Sequence, residues 1–180
     1  MTVRRLAATL TTAVVAAALL AGCGEDSWEK QCTTTPDRVI ECTPEQRPPV
    51  DEVAGELLDG GRYDLADDRG KVVVVNFWGS WCNPCRAEAD DLEKTYQATK
   101  AKGVTFIGVN SRDERDSAKA FERAFGVTFP SVFDPDARVA LKFEVSQVAT
   151  PSTLILDRQG RIAVAIRQPT IVSQLQPLVE

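Results

Sequence analysis

Histidine is absent from all 180 residues. That removes Ser-His-Asp and Cys-His catalysis within this chain, and with them histidine-based zinc, copper or haem sites. A basic stripe is lacking as well: 21 Lys and Arg stand against 26 Asp and Glu, a formal net charge of −5. Residues 1–22 hold Arg4 and Arg5 and no acid, which leaves 19 bases against 26 acids, a net −7, in the remainder. Such a chain is a poor partner for nucleic acid, and a poor ligand for anionic lipid by charge alone. Internal repeats and low-complexity runs are also missing. What remains is ordinary: 43% apolar and 26% charged residues allow a packed core, and the length suits one domain with an added terminal segment.

No apolar run reaches the ~20 residues of a relaxed membrane span. The longest, Leu6–Ala21, follows the short positive segment Met1–Arg5 and reads as the hydrophobic part of a secretory signal. It ends in Leu20-Ala21-Gly22-Cys23, which resembles the bacterial lipoprotein processing box. The resemblance implies a signal peptide over 1–22, cleavage before Cys23, and a diacylglycerol on the Cys23 sulfur. Two or three acyl chains give stable anchoring at about 0.8 kcal/mol per buried methylene. The expected location is the extracytoplasmic side of the cell membrane.

Residues 24–50 are polar, without sustained period, and finish in Pro48-Pro49, the composition of a tether from 23 to 50. Within it Cys32 and Cys42 flank a Thr-Pro-Asp turn signal. In an oxidising compartment the expectation is a structural disulfide closing a small loop, the alternative a second redox pair.

From 51 to 180 strand and helix alternate. Val72–Phe77 is an apolar, β-branched run suited to a central strand buried on both faces, preceded by a short edge strand over Gly61–Leu65. A helix is expected from Cys82–Pro84 to about Lys102, stopped by Gly103, with Ala89, Leu92 and Tyr96 facing the core. Val104–Val109 is the next buried strand. Asp116–Phe125 is a helix closed by Gly126, with Ala118, Phe121 and Phe125 on one face. Phe129–Phe133 is a strand, and Asp134-Pro135 should cap a helix over Asp136–Phe143. A hairpin of Ser152–Leu156 and Arg161–Ile166 turns at Asp157–Gly160, and Thr170 should cap a last helix to about Val179. The order predicts an α/β fold with a mixed central sheet.

The chemistry concentrates in Trp78-Gly79-Ser80-Trp81-Cys82-Asn83-Pro84-Cys85. A zinc ribbon needs a second ligand pair, and haem attachment needs histidine where Arg86 stands. What is left is a redox pair at a strand–turn–helix junction. Unpaired N–H groups and the helix dipole stabilise a thiolate on Cys82, and two intervening residues let the second sulfur reach back. Pro84 fits the first turn, where its missing N–H costs little. Cys82 is therefore the expected nucleophile and Cys85 the resolving thiol, with no metal and no cofactor beyond the Cys82–Cys85 disulfide itself.

Gly70-Lys71, Val75-Asn76-Phe77-Trp78, Trp81–Glu88, Gly126-Val127, Phe129-Pro130, Phe143 with Val145, Thr150-Pro151, and Asp157 with Gly160 together resemble the TlpA/ResA/CcmG branch of the thioredoxin superfamily. The resemblance covers nearly all of 51–180. It implies a thioredoxin-like three-layer fold carrying the extra insertion of that branch. It implies a cis peptide at Thr150–Pro151 beside the disulfide, with Trp81, Thr150 and Pro151 as the substrate-docking surface. Asn76 stands where thioredoxins proper carry a buried aspartate, so it cannot carry a proton; Glu88 is the implied proton carrier near the thiols. Asp90 departs from the proline that the branch often has two residues beyond this glutamate.

The expected function is a membrane-anchored extracytoplasmic thiol–disulfide oxidoreductase working as a disulfide reductase. Its partners would be protein thiols or disulfides of the cell envelope, apocytochrome c among them, with electrons from a membrane thiol carrier. A disulfide oxidase for secreted proteins is the alternative within redox chemistry, and a thioredoxin-fold binding module the alternative outside it. A peroxiredoxin would need a peroxidatic cysteine in a threonine- and proline-containing loop, an arrangement unlike this helix-opening pair.

Overall fold

The apolar run at Val72–Phe77 becomes the strand on which the rest is built. The computed structural model describes residues 28–50, 52–144 and 150–180; the leader and Cys23 lie outside them. After a 3-10 turn at Trp28–Gln31 come two short strands, β1 (Thr33–Thr34) and β2 (Val39–Glu41). The hairpin β3 (Ala54–Glu56) and β4 (Arg62–Asp64) follows. Next are β5 (Val72–Trp78), α1 (Asn83–Thr99), β6 (Val104–Ser111), α2 (Arg115–Phe125) and β7 (Ser131–Asp134). The chain finishes with α3 (Arg138–Lys142), β8 (Ser152–Leu156), β9 (Ile162–Ile166) and α4 (Val172–Val179).

Seven strands form one mixed sheet in the order β1-β2-β9-β8-β5-β6-β7, with β3 and β4 in a separate pair. β5 runs parallel to β6 and antiparallel to β8, so Asn76 lies between Gly108 and Thr153. Alternate residues of β5 face opposite cores, as the pleat requires. Val73, Val75 and Phe77 pack with Phe143, Val139 and the segment from Trp28 to Leu65. Val74 packs with Leu92 of α1 and Leu175 and Val179 of α4. This is a thioredoxin-like three-layer α/β fold, each fully buried Val or Phe contributing roughly 1.5–3 kcal/mol.

Three expectations need correction. Residues 28–50 do not hang as a tether: β2 pairs with β9 through Val39↔Ile166 and Glu41↔Val164, and Trp28, Ile40 and Cys42 are buried in the core. Strands of two and three residues are too short to show a period. The helix expected over Asp136–Phe143 spans only Arg138–Lys142, because Ala137 adopts the left-handed conformation at φ 57°. Asp134 ends β7 instead, and its buried carboxylate reaches forward to accept from the N–H groups of Val139 and Ala140, both at 3.0 Å. Thr170 does not cap α4, whose N-cap is Ile171; its N–H is used elsewhere, as described below.

Candidate active site

β5 delivers the chain to Trp78, and Gly79–Trp81 turn it into α1, with Cys82 at the N-cap in extended conformation. A side chain at Gly79 would not fit, since a Cβ there would lie 2.5 Å from Trp81 Nε1. The Cys82 N–H donates to Gly79 O at 3.0 Å, closing the turn. The Cys85 N–H, one of the unpaired donors of the first helical turn, points at Cys82 Sγ from 3.2 Å. A donor so placed, on top of the helix dipole, favours negative charge on that sulfur. Pro84 lies in this first turn. Cys82 and Cys85 are joined as a disulfide, and both are buried.

Three features frame the pair. Trp81 is exposed over half its surface, while its Nε1 donates to Ser111 O at 3.3 Å. The Thr150–Pro151 peptide is cis, and the register Phe77↔Ser152 sets Pro151, immediately before β8, at the level of Trp78. A small cavity of about 10 Å³, lined by Cys85, Asn76, Trp78 and Phe121 among others, lies behind the second sulfur. It has room for about one water molecule.

Glu88, one helical turn beyond Cys85, is only 1% exposed. Its Oε1 accepts from Asn76 Nδ2 at 2.9 Å and its Oε2 from the Thr170 N–H at 2.9 Å. The other Asn76 amide hydrogen goes to Thr153 Oγ1 at 3.2 Å. Burial raises the Glu88 pKa from its ordinary 4.5 to about 7, and the Thr170 and Asn76 donors offset only part of that rise. A carboxyl that titrates near neutrality can both take and return a proton at working pH.

Sequence reasoning missed the group that holds the turn before Cys82. Asp113, in the loop after β6, accepts from the Ser80 N–H at 2.6 Å and from Ser80 Oγ at 2.7 Å. It also accepts from Asn110 Nδ2 at 2.8 Å and from the Glu114 N–H at 2.9 Å. Arg86 fixes the same turn from α1, donating to Ser80 O at 2.9 Å with its guanidinium 5.5 Å from the Phe121 ring centre. Asp113 and Ser80 meet across 33 positions of sequence, so no local pattern points to that contact.

The remaining cysteines stand apart. Cys32 and Cys42 are joined across the start of the β1–β2 pair, next to Thr33↔Glu41. Cys42 bonds to Ala163 O, three positions back along β9 from the residue level with Thr153. Cys23 lies outside the described residues.

A helix-opening cysteine pair at the end of the central strand of a mixed sheet, with a cis-proline on the adjoining strand, defines a thioredoxin-fold protein. More particularly, the chain belongs to the AhpC/TSA family, whose model matches residues 48–165. It is similar to the thiol-disulfide oxidoreductase ResA of Bacillus subtilis (strain 168), 35% identical over 107 residues, 59% of each chain. It is similar also to ResA of Geobacillus kaustophilus, 36% identical over 105 residues, 58% of this chain and 59% of that one. The chain thus spans about three fifths of the length of these curated relatives. Among solved structures, a DsbF homologue from Corynebacterium diphtheriae is 34% identical with a TM-score of 0.74, covering 78% of this chain and 90% of that one. A secreted thiol-disulfide isomerase from Corynebacterium glutamicum is 30% identical with a TM-score of 0.76, covering 82% and 94%.

Proposed function

We propose that this chain is an extracytoplasmic thiol–disulfide oxidoreductase, lipid-anchored through Cys23, that reduces disulfides of cell-envelope proteins. The observation that carries the reading is the Cys82 sulfur at the N-cap of α1, receiving the Cys85 N–H, with the buried carboxyl of Glu88 one turn beyond Cys85 on the same helix.

In the reducing direction the Cys82 thiolate attacks one sulfur of a substrate disulfide. A mixed disulfide forms, and the other substrate sulfur leaves as a thiolate that takes a proton. Cys85 then loses its proton and attacks Cys82 Sγ, which releases the second substrate thiol and leaves the Cys82–Cys85 disulfide. Two electrons and two protons have passed to the substrate. Glu88 accepts the Cys85 proton in this scheme, since the Asn76 amide does not take up a proton at working pH. Trp81 and the backbone at Thr150-Pro151 form the surface on which the substrate chain lies. A thiol carrier in the membrane restores the dithiol, and apocytochrome c is one substrate of suitable chemistry. The Cys32–Cys42 bond is structural in this scheme.

The likeness to a secreted thiol-disulfide isomerase favours a second reading, disulfide formation or rearrangement in secreted proteins. The reduction potential of Cys82–Cys85 separates the two. A reductase is expected toward the thioredoxin value of about −270 mV, whereas a value near the strong-oxidant end, about −120 mV, contradicts it. Reduction of insulin by a dithiol in the presence of the chain should be lost in Cys82→Ser. Thiol-dependent peroxide turnover comparable to the disulfide exchange rate would point to a peroxidase instead.

A further inference from the structure

Arg112 stands between the two residues that hold the turn before Cys82. On one side the Ser111 carbonyl accepts from Trp81 Nε1 at 3.3 Å; on the other Asp113 accepts from the Ser80 N–H and Oγ. Arg112 itself lies in the left-handed region at φ 54°, and its N–H donates to Asp134 O at 3.3 Å. Glycine adopts that backbone without penalty, whereas a side chain there crowds the following carbonyl. No contact of the arginine side chain offsets the cost. It is exposed, and among the described residues it forms no ion pair or hydrogen bond.

The charged groups around it are committed elsewhere. Asp113 is taken up by Ser80, Asn110 and the Glu114 N–H, and the Asp134 carboxylate by Ser111, Val139 and Ala140. Glu114, two positions on, is exposed and does not pair with Arg112. Arg86 is bonded to Ser80 O, and Arg115 to Leu57 O, Leu58 O and Glu56. One free cation is thus left a residue away from the carbonyl that anchors exposed Trp81, in a chain of net charge −5.

Resting on the thiol–disulfide reading above, we infer that Arg112 is a specificity-determining residue that receives a carboxylate of the substrate polypeptide, near the cysteine that Cys82 attacks. A guanidinium meets a carboxylate through two parallel hydrogen bonds, so the contact selects for position as well as for sign. Preferred substrates are segments with aspartate or glutamate close to a disulfide-bonded cysteine. The net charge of the chain would otherwise disfavour them.

Three disulfide-linked peptide homodimers, identical except for glutamate, glutamine or lysine on either side of the cysteine, test this. The full chain, reduced at Cys82 and Cys85, is mixed with each at low ionic strength, and the exchange rate is measured. Each rate is divided by that of the same peptide with dithiothreitol, because a neighbouring charge alters the reactivity of the peptide's own sulfur. The glutamate peptide should react about threefold to fivefold faster than the glutamine one, as one largely exposed ion pair allows. High salt should shrink the difference. Arg112→Gly, which suits the left-handed backbone, should abolish the preference, and Arg112→Glu should transfer it to the lysine peptide. No preference in the unaltered chain, or the same preference in Arg112→Gly, overturns the inference. No reaction with any of the three peptides contradicts the thiol–disulfide reading itself, and the inference falls with it.

Discussion

Asn76 Nδ2 donates to Glu88 Oε1 at 2.9 Å, from the central strand to the helix that the active cysteines open. The strand thus offers the carboxyl a donor and no second charge, and Thr170 offers another through its backbone. Two donors do not repay the loss of water around a buried carboxylate, so the proton is held up to about pH 7. The consequences for stability and for exchange can be measured separately.

Below pH 4.5 the folded and unfolded chains both keep the Glu88 proton. Above it the unfolded chain ionises freely, while the folded chain ionises only near 7, so stability falls as pH rises through that window. The full effect is about 3 kcal/mol at 1.36 kcal/mol per pKa unit. Glu88→Gln should remove this contribution: denaturant titrations from pH 4 to 8 should show a flatter profile for the variant. Parallel profiles would contradict the buried, late-ionising carboxyl.

The same substitution should slow the resolving step, because Cys85 loses its proton acceptor. General-base contributions are typically about 10²–10⁴-fold, and the loss should sit toward the lower figure because water can substitute in the adjoining cavity. Stopped-flow exchange should show mixed disulfide persisting in Glu88→Gln at pH 7, with the rate recovering as pH rises. An unchanged rate and pH profile would reduce Glu88 to a packing role.

Asp113→Ala leaves the Ser80 N–H, Ser80 Oγ and Asn110 Nδ2 without their acceptor. Because the site is only partly buried, water replaces part of what is lost, and a destabilisation of about 2 kcal/mol is expected. Exchange at Cys82 should slow as the turn ahead of it loosens. Thermal unfolding and exchange rates measured on one sample check both effects.

The reach of sequence reading followed the range of the interactions. Val72–Phe77 announced a central strand because a β-branched apolar run has few other fates. Cys82, Cys85 and Glu88 could be set on one helix by their spacing alone. The depth of Glu88 was not legible, because it depends on Thr170 arriving from 82 positions away. Asp113 looked like any acid in a polar turn. Residues 28–50 read as a linker because β1 and β2 have two and three residues, and their partner β9 lies far along the chain. The αL conformation of Ala137 left no mark at all, since alanine seldom takes it.

Replacing Cys32 and Cys42 together by serine should lower stability by about 2–3 kcal/mol, the entropy of a loop of roughly ten residues. Exchange at Cys82 should be unchanged, since the pair lies toward the other end of β9. Loss of exchange without loss of stability would instead make it a second redox pair.

Cys82 attacks and Cys85 resolves in the proposed exchange. Cys85→Ser and Cys82→Ser chains, incubated with a disulfide-bonded protein substrate and quenched in acid, test it most directly by non-reducing separation and mass spectrometry. Cys85→Ser should accumulate a mixed disulfide on Cys82, while Cys82→Ser should capture almost none. Capture on Cys85 in the Cys82→Ser chain to the same extent, or no capture by either, would contradict it.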